Sequence, residues 1–277
     1  MKCLWNELIA ILPCWMRQEV GKLGQDSLQE LRLRLGYVPE LVCKKDSHKL
    51  QRPVNQADMH YVINTACRYS PWTATGTAQG YLTAAGGHRI GICGLFREND
   101  QGVATIQEIR SLCIRVARDF PDIARPLGQI KGSVLIIGSP GAGKTTLLRD
   151  LIRQRNSQGS VAVVDERGEL FPPGCGFETG SRTDVLSFCS KPKGIDMLLR
   201  AMGPTTIAVD EITTQEDCEG LIRAAWCGVS LLATAHAQSK EDLYRREVYK
   251  PLVQSGIFDA LVILNRDQSW RLERVCL

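Results

Sequence analysis

Residues 133–137, 160–164, 205–209 and 229–235 are almost wholly apolar runs, which is the pattern of strands buried on both faces rather than on one. Between the last two the spacing becomes helical. Leu221, Ile222, Ala225 and Trp226 fall on one predicted face, Thr213 and Glu216 have the spacing of a capping box, and Gly228 supplies the stop. Strands that alternate with helices predict a mostly parallel sheet covered on both sides. Two alternating runs, 258–265 and 270–275, are expected to complete it.

The first half reads differently. Residues 27–35 alternate polar and apolar up to Gly36, predicting a strand, and 39–43 predict a second, short one. Residues 56–69 set Met59, Val62, Ile63 and Ala66 at helical spacing. Two short alternating runs over 80–95 flank Gly86-Gly87, the signature of a hairpin, and 111–117 add another strand. Pro121, Pro126 and Gly128 then punctuate residues 119–132 as a linker would. The expected organisation is a smaller mixed α/β domain over 1–124 and a larger α/β domain over 125–277.

The apolar opening, residues 4–12, raises the question of a signal or an anchor. Asn6 and Glu7 interrupt it and Pro13 closes it, well short of the ~20 residues of a spanning helix. An amphipathic helix of the first domain is expected, with no transmembrane segment. Lysine plus arginine (34) barely exceeds aspartate plus glutamate (30), too weak a bias for a nucleic-acid coat, so no nucleic-acid partner is expected. The 11 cysteines form no C-x-x-C pair and several lie inside apolar segments, as reduced thiols of a cytoplasmic protein would.

The strongest chemical signal follows the first buried run. Gly138-Ser139-Pro140-Gly141-Ala142-Gly143-Lys144-Thr145-Thr146 satisfies G-x-x-x-x-G-K-[ST] between a strand and a helix. Its glycines let successive N–H groups curl around phosphates, and the helix N-terminus adds its dipole. Lys144 would neutralise the β and γ phosphates of ATP, and the Thr145 hydroxyl would ligate Mg²⁺. Two later strands end in acids, Asp165-Glu166 and Asp210-Glu211. In a parallel sheet both pairs emerge at the carboxyl edge beside the phosphate loop. Asp210-Glu211 is the better Walker B candidate, with Asp210 serving Mg²⁺ and Glu211 preparing the attacking water. Asp165-Glu166 has a plainer alternative, pairing with Arg167 or capping a turn. The strand tip at 234–236 offers the Thr234 hydroxyl and the His236 imidazole, both within expected reach of the nucleotide.

Taken in order, these motifs resemble a known family. Residues 28–36, Gly80-Tyr81-Leu82-Thr83, Gly86-Gly87-His88-Arg89-Ile90-Gly91, the P-loop, Val164-Asp165-Glu166-Arg167, residues 181–186, Val209-Asp210-Glu211-Ile212 and Ala233-Thr234-Ala235-His236 are similar to the stage III sporulation protein AA family of endospore-forming bacteria. That family is related to the traffic ATPases of type II and type IV secretion. The resemblance implies a RecA-like P-loop NTPase domain behind a smaller N-terminal domain, and a homo-oligomer, hexameric in related rings. It implies Glu166 in an aspartate box and His236 in a histidine box, both at the γ-phosphate. It also implies ATP hydrolysis in the mother-cell cytoplasm that powers or assembles a secretion-like channel with membrane-protein partners. The chain departs from the wider pattern in reading Val209-Asp210-Glu211 where many secretion ATPases have glycine before the glutamate, and in continuing as Ala237-Gln238-Ser239 after the histidine. It has no four-cysteine zinc insertion, so Mg²⁺ is the expected metal. Residues 70–78 are atypical.

Such rings also bring an arginine to the γ-phosphate, for which Arg89, Arg110, Arg115 and Arg182 are candidates. Two alternative functions stand beside hydrolysis coupled to work. One is a nucleic-acid-stimulated ATPase, suggested by the basic Arg32-x-Arg34 strand. The other is a nucleotide-loaded scaffold with little turnover, against which Glu211 argues.

Overall fold

Leu31 and Leu33 of strand β1 (Leu28–Arg34) point into a core while Arg32 and Arg34 face water, as the alternation requires. Leu28 is out of phase by one residue. A register shift between Leu28 and Glu30, opposite β2 (Glu40–Cys43), turns it inward again.

The computed structural model describes residues 1–67, 80–98 and 104–274. The atypical residues 70–78 and the ends of the predicted helix 56–69 and strand 270–275 lie outside the described residues. Two compact units emerge: Met1–Asp119 with Pro172–Gly176, and Phe120–Phe171 with Phe177–Leu277. The first ends five residues before the expected boundary, and it takes in a short segment that the sequence assigns to the second domain.

In the first unit β3 (Ser47–Lys49), β4 (Tyr81–Thr83), β5 (Arg89–Glu98) and β6 (Ala104–Arg115) join β1 and β2 in an antiparallel sheet of order β3-β2-β1-β6-β5-β4. The predicted hairpin is present, with Leu82 opposite Ile90. Strand β3 was not predicted, because Ser47, His48 and Lys49 are all exposed and leave no apolar alternation to read. The apolar opening gives helix α1 (Trp5–Ala10), and α2 (Cys14–Leu23) follows Pro13. Their Leu8, Met16 and Val20 join Leu12, the inner faces of the sheet, and Met59 and Val62 of α3 (Gln56–Cys67) in one core. Asp58 starts α3 by accepting from the Asn55 N–H (3.1 Å), while Asn55 Oδ1 accepts from the Asp58 N–H (2.9 Å). Arg32 and Arg34 are paired with Glu30 (2.9 Å) and Glu40 (3.2 Å), so the basic strand carries its own acids.

The second unit is a seven-stranded sheet of order β13-β12-β7-β11-β10-β8-β9. Its strands are β7 (Val134–Gly138), β8 (Val161–Asp165), β9 (Thr183–Ser187), β10 (Thr206–Ile212), β11 (Ser230–Ala235), β12 (Ala260–Leu264) and β13 (Trp270–Arg274). All neighbours run parallel except β13, which turns back on β12 at the edge. Every residue of β7, β8 and β12 is buried, which explains their unbroken apolar runs. Helices α4 (Lys144–Arg155), α5 (Lys191–Ala201), α6 (Gln215–Trp226), α7 (Lys240–Arg245) and α8 (Lys250–Ser255) complete the unit.

Helix α6 corrects two details. Its capping box is Thr214 with Asp217, one residue later than the expected pair Thr213 and Glu216. Its buried face carries Leu221, Ile222 and Ala224, whereas Trp226 is 77% exposed. Aspartate serves at N3 where the pattern sought glutamate. No helix among the described residues is long and apolar enough to cross a membrane.

Candidate nucleotide site

Strand β7 delivers the phosphate loop directly to α4, whose first residue is Lys144. Gly141 (φ +77°) and Gly143 (φ +100°) adopt the left-handed backbone that the loop requires. Gly138 has a different reason: a Cβ there would meet the Leu264 carbonyl oxygen at 2.7 Å. Pro140 is exposed at the turn, Ala142 is buried, and Thr145 and Thr146 are half-buried in the first turn of α4. The Ser139 carbonyl accepts from the Ala142 N–H (3.2 Å).

Lys144 is buried, and its ammonium donates to the carbonyls of Gly138 (3.0 Å) and Ser139 (3.1 Å) and to His236 Nδ1 (3.0 Å). Among the described residues no carboxylate lies within ion-pair distance of it. Burial pushes its pKa down, against the pull of Asp210 and Glu211. A buried cation with only neutral partners is suited to an anionic ligand, which is the fit a phosphate group requires.

Asp210 and Glu211 sit where the pairing of β10 with β11 is interrupted, between Val209 and Ile212. The interruption leaves both residues without a ladder partner on β11 at the carboxyl edge of the sheet. Asp210 Oδ2 accepts the Thr145 hydroxyl (2.7 Å) and Oδ1 accepts that of Thr234 (2.5 Å). An aligned hydroxyl and carboxylate are the hard oxygen donors that Mg²⁺ selects. Glu211 has φ +53°, rare for a residue with a side chain. Its N–H is held by Thr234 Oγ1 at 2.7 Å. Thr234 is wholly buried, and its hydroxyl, expected to reach toward a nucleotide, instead holds Asp210 and the Glu211 N–H, the two candidate Walker B residues.

Both carboxylate oxygens of Glu211 are taken: Oε1 lies 2.9 Å from His236 Nε2 and Oε2 2.6 Å from Arg167 Nη1. The His236 N–H donates to Tyr249 Oη (3.1 Å), which in turn donates to the Ile212 carbonyl (3.2 Å). The structure therefore brings Lys144, Thr145, Asp210, Glu211 and His236 together. Arg167 joins them and was not among the four candidate arginines. Its place straight after an acidic strand end was the available signal. Arg110 pairs with Glu108 and Arg115 with Glu30, both in the first unit, where Arg89 stacks on Tyr81. Arg182 lies before β9, at the amino edge of the sheet.

The other acid pair divides its labour. Asp165 is buried, and its carboxylate accepts the N–H groups of Glu169 (2.8 Å) and Phe171 (2.9 Å), shaping the loop after β8. Burial raises its pKa, and the Phe171 N–H works against that rise. Glu166 turns toward Lys191, 2.5 Å away, and lines a cleft with Asp210 and Glu211.

Comparison with known proteins shows a family and a fold. The family described as sporulation stage III, protein AA matches residues 5–272. Stage III sporulation protein AA of Bacillus subtilis (strain 168) is 34% identical over 281 residues, which covers 94% of this chain and 91% of that one. In fold, the chain is similar to the Legionella pneumophila ATPase DotB, with TM-score 0.59, 16% identity, and 95% of this chain and 80% of that one covered. It is also similar to the pilus retraction motor PilT with bound ADP, with TM-score 0.60, 16% identity, and 90% and 76% covered.

Proposed function

The chain belongs to the sporulation stage III, protein AA family, and from that premise we propose that it binds Mg·ATP on Gly138–Thr146 and hydrolyses it to drive or assemble a secretion-like channel during endospore formation. The observation that carries the reading is the bonded series Lys144, His236, Glu211 and Arg167 at the mouth of the P-loop. The likeness in fold to DotB and to PilT, the latter solved with ADP, supports nucleotide as the ligand.

Lys144 would exchange its two loop carbonyls for phosphate oxygens, so its burial favours the filled site. Thr145 and Asp210 would hold magnesium, which supplies charge neutralisation at the phosphates. Glu211 would orient the attacking water and accept its proton once one of its two partners lets go. Glu166 and His236 would position the γ-phosphate end. The working form is a homo-oligomer, hexameric by analogy with related rings, in the mother-cell cytoplasm beside membrane-protein components of the channel.

The full occupation of Glu211 favours one other reading, a nucleotide-loaded scaffold that turns over slowly unless a partner releases the glutamate. Steady-state hydrolysis over a protein concentration series, beside Lys144→Ala and Glu211→Gln, separates the two. Turnover that rises with concentration and vanishes in both variants supports the oligomeric ATPase. Flat, negligible turnover with intact ATP binding supports the scaffold.

A further inference from the structure

Lys191 opens helix α5 and is 3% exposed, a depth that a charged side chain rarely reaches without polar or charged partners. It has two. Its ammonium lies 2.5 Å from Glu166 Oε2 and 3.3 Å from Asp217 Oδ2. Glu166 is the residue after β8. Asp217 is the capping-box aspartate of α6, and the same Oδ2 accepts the N–H groups of Thr213 (2.9 Å) and Thr214 (3.2 Å). The lysine therefore joins the end of β8 to the turn between β10 and α6, and those two strands pair in parallel.

Electrostatics give the junction a purpose. Glu166 shares its cleft with the acids Asp165, Glu169, Asp210 and Glu211 and with Arg167, which is already paired to Glu211, and its side chain is 35% exposed. Without a cation beside it, repulsion from these acids and the pull of hydration would both draw Glu166 outward. Lys191 removes the first and offers a charged hydrogen bond against the second. Its second bond, to Asp217, ties its own position to the turn behind Glu211.

We propose that Lys191 is the positioning residue that holds Glu166 in the nucleotide cleft and keeps it in register with the Walker B turn; this rests on the ATPase reading above. Lys191 acts through Glu166. A charge-free replacement should therefore damage the transition state more than the binding of ATP, and should do nothing further once Glu166 has lost its own charge.

The test uses the full chain with Lys191→Met, which keeps the aliphatic stem, Lys191→Arg, Glu166→Gln and the double variant Lys191→Met/Glu166→Gln. Two quantities are read: steady-state turnover, and the ratio of affinities for Mg·ADP with and without aluminium fluoride, which needs no turnover. Lys191→Met is expected to lower kcat and the affinity ratio on the order of 10-fold, with KM changed less than about twofold. Lys191→Arg should recover most of that loss, and the double variant should match Glu166→Gln. Wild-type behaviour in Lys191→Met, or additive losses in the double variant, would overturn the proposal while leaving the ATPase reading intact. A wild-type chain with neither turnover nor preference for the fluoride complex would overturn both. If preference exists without turnover, the affinity ratio alone decides for Lys191, by the same comparison of variants.

Discussion

Lys144 Nζ lies 3.0 Å from His236 Nδ1, and that contact fixes the tautomer of the histidine. An ammonium can only donate, so Nδ1 accepts and the ring proton resides on Nε2, from which it is donated to Glu211 Oε1 at 2.9 Å. The candidate phosphate-binding lysine and the candidate base are thus linked through one imidazole. Filling the loop with phosphate would draw Lys144 away and change what His236 offers to Glu211.

Replacing His236 with alanine should therefore weaken catalysis more than binding. We expect kcat to fall by about 10- to 100-fold, within the range for groups that assist proton transfer, and KM for ATP to change less than about threefold. Steady-state kinetics on the purified variant checks this. A large rise in KM with unchanged kcat would assign His236 to ground-state binding instead.

Thr234 offers a cleaner test of the strained Walker B backbone. Its hydroxyl donates to Asp210 and accepts from the Glu211 N–H, with Glu211 at φ +53°. Thr234→Val keeps the shape and removes both bonds, leaving a half-buried N–H without its partner. The expected cost is about 1–3 kcal/mol of stability, with a fall in turnover from the loosened Glu211. Denaturant unfolding measures the first and steady-state hydrolysis the second. A variant as stable and as active as wild type would show that the backbone at Glu211 is held by other contacts.

The fold of the second unit was legible because burial on both faces writes continuous apolar runs into the sequence, as at Val134–Gly138 and Val161–Asp165. The P-loop was legible because its glycines and Lys144 form a contiguous pattern. What lay hidden were pairs distant in sequence. Lys191 meets Glu166 across 25 positions and Arg167 meets Glu211 across 44, with no local pattern to mark either. The exposed strand Ser47–Lys49 was hidden for another reason: an edge with no apolar side chain leaves no period to detect. Thr234 had the right element and the wrong direction, since a hydroxyl at a strand tip serves a neighbouring strand as readily as a ligand.

Gly138 and Gly141 should respond differently to alanine, although both belong to the motif. At Gly141 a Cβ meets nothing within 4 Å, so the cost is that of φ +77° alone, about 1 kcal/mol. At Gly138 the Cβ would lie 2.7 Å from the Leu264 carbonyl oxygen and press β7 away from β12. Overpacking of that kind costs about 1–3 kcal/mol or more. Thermal unfolding of the two variants should rank Gly138→Ala below Gly141→Ala. The reverse order would mean that the loop conformation, not strand packing, dominates the requirement for glycine.

His88 gives the first unit a pH dependence. It is wholly buried; Nδ1 accepts from the Ala117 N–H (3.1 Å), so Nε2 donates to the Leu4 carbonyl (3.0 Å). Burial holds its pKa below the ordinary 6.5 and the Arg118 charge adds to that, while the Leu4 carbonyl and Glu7 oppose it. As pH falls below about 6.5, the unfolded chain takes up a proton that the folded chain refuses, and stability declines until the folded pKa is passed. Above that window the contribution is complete. Asp165, raised by burial, works the other way, since its protonation favours the folded state as pH falls. The His88 part must therefore be read as a difference. Denaturant midpoints at pH 5 and pH 7.5 should show a larger loss on acidification in wild type than in His88→Gln, which keeps a donor and an acceptor but does not titrate. Equal losses in the two proteins would mean that other groups govern the acid limb and that His88 is held by packing alone.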